Sequence, residues 1–205
     1  MGFRSCVLKG QGTATLYPKA GIRQCGDIDM WIDADHKTAV PLLQKKWKLD
    51  EVCYHHAKIA GFPDKVILEV HFRPTWMHRP AANRRLQKYF EENAAGQFGN
   101  YCQEKGFYIT TPSFDSVFGM VHIYRHVLFE GIGMRQLMDY FYVLQHTSDE
   151  DRKKAYDVLC SLGMRKFVAA IMYVLERLFG MGGEYMLCEP DSKTGGFLVK
   201  EIFKW

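Results

Sequence analysis

Arg23-Gln24-Cys25-Gly26-Asp27-Ile28-Asp29-Met30-Trp31-Ile32 is the stretch that decides the fold. Two carboxylates sit two residues apart inside an apolar run. In a strand, alternate side chains share a face, so Asp27 and Asp29 project together while Ile28, Met30 and Ile32 go the other way. Carboxylates held side by side repel each other, and a cation relieves that repulsion. Hard oxygen ligands with positions left for phosphates suit Mg²⁺. About one short helix upstream lies Leu8-Lys9-Gly10-Gln11-Gly12-Thr13. A glycine-containing turn there brings backbone N–H groups close to a phosphate. Together the two stretches imply metal-dependent chemistry on a nucleotide.

A second strand, Lys65–Arg73, has the same layout. Val66, Leu68, Val70 and Phe72 form its apolar face, and Ile67, Glu69, His71 and Arg73 the other, so the two polar faces can adjoin. Around these lie a strand at Ser5–Lys9 that turns at Gly10–Gly12, and a short helix at Thr13–Tyr17 ended by Pro18. A helix is expected at Lys37–Lys46, and a hairpin at Lys48–Tyr54 and Ala57–Ile59. After Pro74 the chain is rich in turn formers, with one helix at Arg84–Asn93. From Ser113 the spacing is helical: to about Phe129, then Met134–Leu144, Ser148–Leu162 and Arg165–Phe179. Ser148 followed by Asp149–Asp151 is a helix start, and Gly163 a stop. The expected division is an α/β core over residues 1–74, a connector over 75–112 and a helical domain over 113–205.

The 205 residues suffice for a sizeable core. At 47% hydrophobic and 24% charged, the composition is that of a globular chain rather than a disordered one. A formal charge of +4 tolerates an anionic substrate but gives no strong nucleic-acid signal. No apolar run reaches the roughly 18–20 residues of a membrane span, and Met1–Leu8 is too short for a signal peptide. The six cysteines are scattered without a CxxC pair. That pattern points to reduced thiols and a cytoplasmic setting rather than a disulfide frame or a zinc site. Cys25, beside the acids, reads as a small buried residue or a reactive thiol.

These residues resemble the nucleotidyltransferase superfamily that includes DNA polymerase β. Its pattern is a Gly-Gly or Gly-Ser turn, an Asp-x-Asp strand and a third acid on a later strand. The closer likeness is to a bacterial family labelled uncharacterised nucleotidyltransferase. Its Leu-Lys-Gly, Tyr-Pro, Arg-x-x-Gly-Asp-Ile-Asp and Glu-x-His segments match Leu8-Lys9-Gly10, Tyr17-Pro18, Arg23–Asp29 and Glu69-Val70-His71. The superfamily's second small residue falls on Gln11 if Gly10 is the first glycine of the turn, and on Thr13 if Gly12 is. The chain begins only a few residues ahead of the motif, where relatives carry helical sequence first, as a truncated or short member would. The resemblance implies an α+β fold, with a small mixed sheet and flanking helices followed by a helical C-terminal part. It implies transfer of an NMP group from an NTP such as ATP to an acceptor hydroxyl on a sugar phosphate, small molecule, RNA or protein. Asp27, Asp29 and Glu69 would then be the catalytic acids and hold two Mg²⁺ ions, with Mn²⁺ as the substitute. The turn Lys9-Gly10-Gln11-Gly12-Thr13 would bind the phosphates.

Lys9 and Arg23 bracket the turn and can meet triphosphate charge or be plain surface cations. His71 shares the face of Glu69 and can orient it, face substrate or bond a neighbour. His55 and His56 read as structural, being neighbours on opposite faces of a strand. His122 and His126, four apart on one helical face, read as a polar surface rather than a zinc pair. Arg135 and Asp139 are also four apart. One reading is an intrahelical ion pair. A more distant likeness to abortive-infection toxin nucleotidyltransferases implies the other, Arg135 on the triphosphate and Asp139 positioning it. The alternative function is a catalytically inactive binding or interaction module on the same fold.

Overall fold

Period-two burial organises the N-terminal half. In the computed structural model, which describes residues 2–24, 26–61 and 66–204, β2 (Ile28–Ile32) and β5 (Leu68–His71) are parallel neighbours. Their register pairs Asp29 with Glu69, Met30 with Val70 and Trp31 with His71. Cys25 and Lys65, the latter read as the start of the second strand, lie outside the described residues.

β1 (Ser5–Val7) runs antiparallel to β2 on its other side. β4 (His56–Ile59) runs antiparallel to β5, and β3 (Leu49–Val52) completes the sheet at the far edge. The order is β1-β2-β5-β4-β3, a mixed sheet, as an α+β fold of this type requires. One face is apolar: Ile32, Leu68, Val70, Phe72, Ala57 and Ile59 cluster with Ala39 and Leu43 of α1 (His36–Gln44). Asp35 caps α1, its carboxylate accepting from the Thr38 N–H. A hollow lined by Phe3, Met30, Leu43, Trp47 and Val70 lies on this same face, away from every acid of interest.

On the other face, Trp31 packs against Phe90 and Phe98 of α2 (Pro80–Gly99). α2 is twice the length its sequence suggests: Asn83, Asn93 and Gly96 are poor helix formers, and packing overrides them. After it, β6 (Tyr101–Cys102) and β7 (Phe107–Tyr108) form a small hairpin. The chain leaving that hairpin braces β1, with Thr110 N–H donating to the Val7 carbonyl and the Thr110 hydroxyl to that of Leu8.

Two compact units result. One comprises Met1–Trp76 and Gln87–Thr111, the other Met77–Leu86 and Pro112–Trp205. Residues 75–112 are thus shared between the two units, with α2 contributing to both. The helical unit contains α3 (Pro112–Arg125), which ends in a π-helical turn at His126–Glu130, then α4 (Met134–Gln145), α5 (Asp149–Ser161) and α6 (Arg165–Phe179). Ser148 caps α5 as expected, and Gly163 follows it at φ 81°. α7 (Ser192–Ile202) was not anticipated. It rests on α6 through Gly195, where a Cβ would come within 2.6 Å of the Tyr173 side chain. No described helix is long and apolar enough to cross a membrane.

Candidate active site

Asp29 sits mid-strand in β2 and is 2% exposed. A carboxylate there must be paired, because water cannot reach it. Lys9, two residues past β1, places Nζ 3.1 Å from Asp29 Oδ1. His71, on β5, places Nε2 3.1 Å from the same oxygen and 3.5 Å from Glu69 Oε2. The other ring nitrogen of His71, Nδ1, lies 3.3 Å from the Arg73 carbonyl oxygen. Both nitrogens therefore face oxygens that only accept, and the ring that satisfies both is the doubly protonated imidazolium.

The ionisation balance agrees with that assignment. Burial opposes charge on His71, but the hydrogen bonds to Asp29 and Glu69 outweigh it and raise its pKa above the usual 6.5. Burial also opposes charge on Asp29, yet the His71 hydrogen bond and the Lys9 charge bring it down to about 2. The His71 hydrogen bond lowers Glu69 as well, against its own partial burial. Two ionised carboxylates are thus held side by side on neighbouring strands and neutralised by one imidazolium and one ammonium.

The phosphate-side turn is built next to them. Gly10 takes φ 62°, a backbone that favours glycine. A Cβ on Gly10 would also stand 3.5 Å from the Asp27 carbonyl oxygen and 3.9 Å from Arg23 Nη1. The turn, the approach to β2 and the Arg23 guanidinium therefore adjoin. Gly12 and Thr13 enter a short 3-10 helix, Thr13–Leu16, and the Gln11 side-chain oxygen is buried without a hydrogen-bond partner.

Residues 1–180 match the family described as Uncharacterised nucleotidyltransferase. The chain belongs to that family. Its membership makes it a transferase of the nucleotidyltransferase kind. No curated protein matches the chain.

Within this nucleotidyltransferase, the strand register brings Asp29, Glu69 and His71 together. Asp27 is placed differently from its sequence reading. It precedes β2 in a bend and is exposed, so strand alternation does not govern it. Arg135 and Asp139 belong to the helical unit, on α4, where Arg135 is exposed.

The structure adds His56 and Lys58 to the same sheet face. On β4, Ala57 and Ile59 enter the apolar cluster, which turns His56 and Lys58 the other way. Lys58 is the register partner of Glu69, and His56 that of His71. His56 Nε2 lies 3.8 Å from Glu69 Oε1, and its burial lowers its pKa. The reading of His55 and His56 as a strand pair on opposite faces is corrected here. His55 lies in the hairpin turn before β4, and its ring reaches the His56 ring at 4.4 Å between centroids. The alternation of His56-Ala57-Lys58-Ile59 was the available signal.

Groups of His, Cys, Asp and Glu side chains close enough to hold a metal ion fall, among the described residues, at His56, Glu69 and His71 and at Cys53, His55 and His56. The His122 and His126 rings meet edge-to-face at 4.3 Å between centroids, with His126 Nδ1 committed to the Gly131 carbonyl.

Proposed function

We propose that the chain moves an NMP group from an NTP, ATP being the first to test, to an acceptor hydroxyl. The observation that carries this reading is the in-register pair Asp29 and Glu69, both ionised, beside the Gly10 turn. Hard, anionic oxygens that have already gathered an ammonium and an imidazolium are a fitting donor set for a divalent cation. Asp29 and Glu69, with Asp27 joining from the bend, would hold Mg²⁺, two ions in the full arrangement, or Mn²⁺. Such ions would supply charge stabilisation on the attacking and leaving oxygens.

The chain's own groups then have distinct tasks. Lys9, once a cation replaces it at Asp29, is free to meet phosphate charge. Arg23 and the backbone of Gly10, Gln11, Gly12 and Thr13 hold the β- and γ-phosphates. His71 orients both acids through one nitrogen. That same bond lowers the basicity of Glu69, so Glu69 acts more as an oxygen ligand than as a strong base toward the acceptor. Arg135, four residues before Asp139 on α4, is the further residue whose charge suits a triphosphate. The unbridged state of Cys6, Cys53, Cys102, Cys160 and Cys188 accords with a reducing, cytoplasmic setting.

One observation favours the second reading, an inactive binding module: the Asp29 carboxylate is already engaged by Lys9 and His71. Thermal denaturation with Mg²⁺ or Mn²⁺ and each NTP separates the two. A metal-dependent rise in Tm with a triphosphate supports the transferase. No response to any nucleotide supports the module.

A further inference from the structure

Cys53, His55 and His56 converge at the β3–β4 turn, beside the acids but not among them. The Cys53 N–H donates to the His56 carbonyl across the turn, so the backbone that presents all three side chains is closed on itself. Cys53 Sγ lies 3.3 Å from His55 Nδ1 and 3.5 Å from His56 Nδ1, and His56 Nδ1 lies 3.0 Å from His55 Nε2. Around a tetrahedral zinc ion the bond lengths imply about 3.5 Å between sulfur and nitrogen ligands and about 3.3 Å between nitrogens. The two sulfur–nitrogen separations already approximate those of a ligand set through Nδ1 of each histidine, and one ligand atom from each of the three residues lies within 4.8 Å of the others. The 3.0 Å contact is made by the other His55 nitrogen, which would not bind the same ion.

We infer that Cys53, His55 and His56 bind a Zn²⁺ ion with its fourth position open, separate from the carboxylate site. Thiolate and imidazole donors select a borderline-soft cation and are poor ligands for Mg²⁺. Binding exchanges the Cys53 thiol proton for the metal: the S–H bond breaks, an S–Zn bond forms and the proton leaves to solvent. His71 is not part of this set, because its two nitrogens are committed to the Arg73 carbonyl and the carboxylates. His56 connects the two sites. With Nδ1 on the metal, its Nε2 faces Glu69 Oε1 at 3.8 Å, the arrangement in which a carboxylate steadies a metal-bound histidine.

The inference does not depend on nucleotidyl transfer, and its test reads no activity. Metal-stripped full-length protein is titrated with Co²⁺. One equivalent should bind with a thiolate-to-cobalt charge-transfer band, Zn²⁺ should displace it, and excess Mg²⁺ should not. Cys53→Ser should abolish the band, His55→Ala should abolish one-to-one binding, and Glu69→Gln should weaken binding by about 10–100-fold. Asp27→Asn should leave it unchanged. Because Cys53→Ser can fail to fold, the wild-type protein is also alkylated with and without Zn²⁺, and peptide mass should show Cys53 protected by the metal. No charge-transfer band, a band that survives in folded Cys53→Ser, or alkylation of Cys53 unaffected by Zn²⁺ would overturn the assignment.

Discussion

On β2, Ile28, Met30 and Ile32 pack in one cluster with Ala39 and Leu43, whereas Asp29, a single residue away, meets the charges of Lys9 and His71. Asp29 is buried while Ile28 and Met30 are half-buried, so the polar face of this strand is no wetter than the apolar one, and the two are stabilised by different physics. The apolar face gains from every methylene it hides. The polar face bears the desolvation of two carboxylates, an ammonium and an imidazolium, which mutual pairing offsets without surplus. A sheet needs only the first arrangement to fold. Ionised groups gathered at such cost are what the proposed transfer site would need and the fold alone would not.

Substitutions on the polar face should separate those roles. Asp29→Asn should reduce transfer by roughly a thousandfold, the several kcal/mol that a metal-held charge supplies. It should also destabilise the chain by about 3 kcal/mol, because it leaves Lys9 and His71 beside an uncharged group. Asp27→Asn, at an exposed position, should lose comparable activity with Tm nearly unchanged. If Asp29→Asn proves as stable as Asp27→Asn, the buried ion cluster is not holding β2 against β5. Denaturant unfolding and steady-state transfer rates measure both quantities.

The apolar face should respond the other way. Leu43→Ala should cost about 2–5 kcal/mol of stability, while the variant that remains folded transfers at the wild-type rate. Next in size is Arg135→Ala, which should weaken triphosphate binding about tenfold, the worth of one charged hydrogen bond, and leave monophosphate binding alone. Equal effects on both nucleotides, read by calorimetry, would confine Arg135 to the helical unit's own structure.

The smallest effect is on pH dependence. The folded-state pKa of His71 is raised above 6.5, so its contribution is complete below that value and lost as pH rises through the folded-state pKa. Asp29 behaves oppositely: its contribution is present above 3.8 and lost as pH falls through about 2. Metal-free protein should therefore lose Tm as pH rises from mildly acidic to alkaline, and His71→Asn should flatten that slope. A slope unchanged in His71→Asn would remove the imidazolium from the account.

Much of this site was legible because alternation is a local signal. Ile28, Met30, Val70 and Phe72 commit one face to the core, and that alone turns Asp29, Glu69 and His71 to the other. That the two polar faces can adjoin was readable from the matching layout of the strands; the register that pairs Asp29 with Glu69 comes from the fold. Three features were hidden for identifiable reasons. Asp27 leaves the strand in a bend, where alternation gives no guidance. Cys53 and His55 reach His56 through a turn whose geometry no spacing rule encodes. α7 was masked by Gly195-Gly196, which lowers helix propensity but allows the close approach to Tyr173. Asp191, accepting from the Lys193 and Thr194 N–H groups, was its overlooked start signal.

Nucleotidyl transfer at the carboxylate face can be tested in a single experiment. The most direct measurement incubates the protein and Mg²⁺ or Mn²⁺ with an acceptor-containing cell extract and NTP labelled at either the α- or the γ-phosphate. Label should reach an acceptor from the α-labelled nucleotide only, with pyrophosphate released, and neither should occur with Glu69→Gln. Transfer of the γ-label, or α-transfer undiminished in Glu69→Gln, would contradict nucleotidyl transfer at this face.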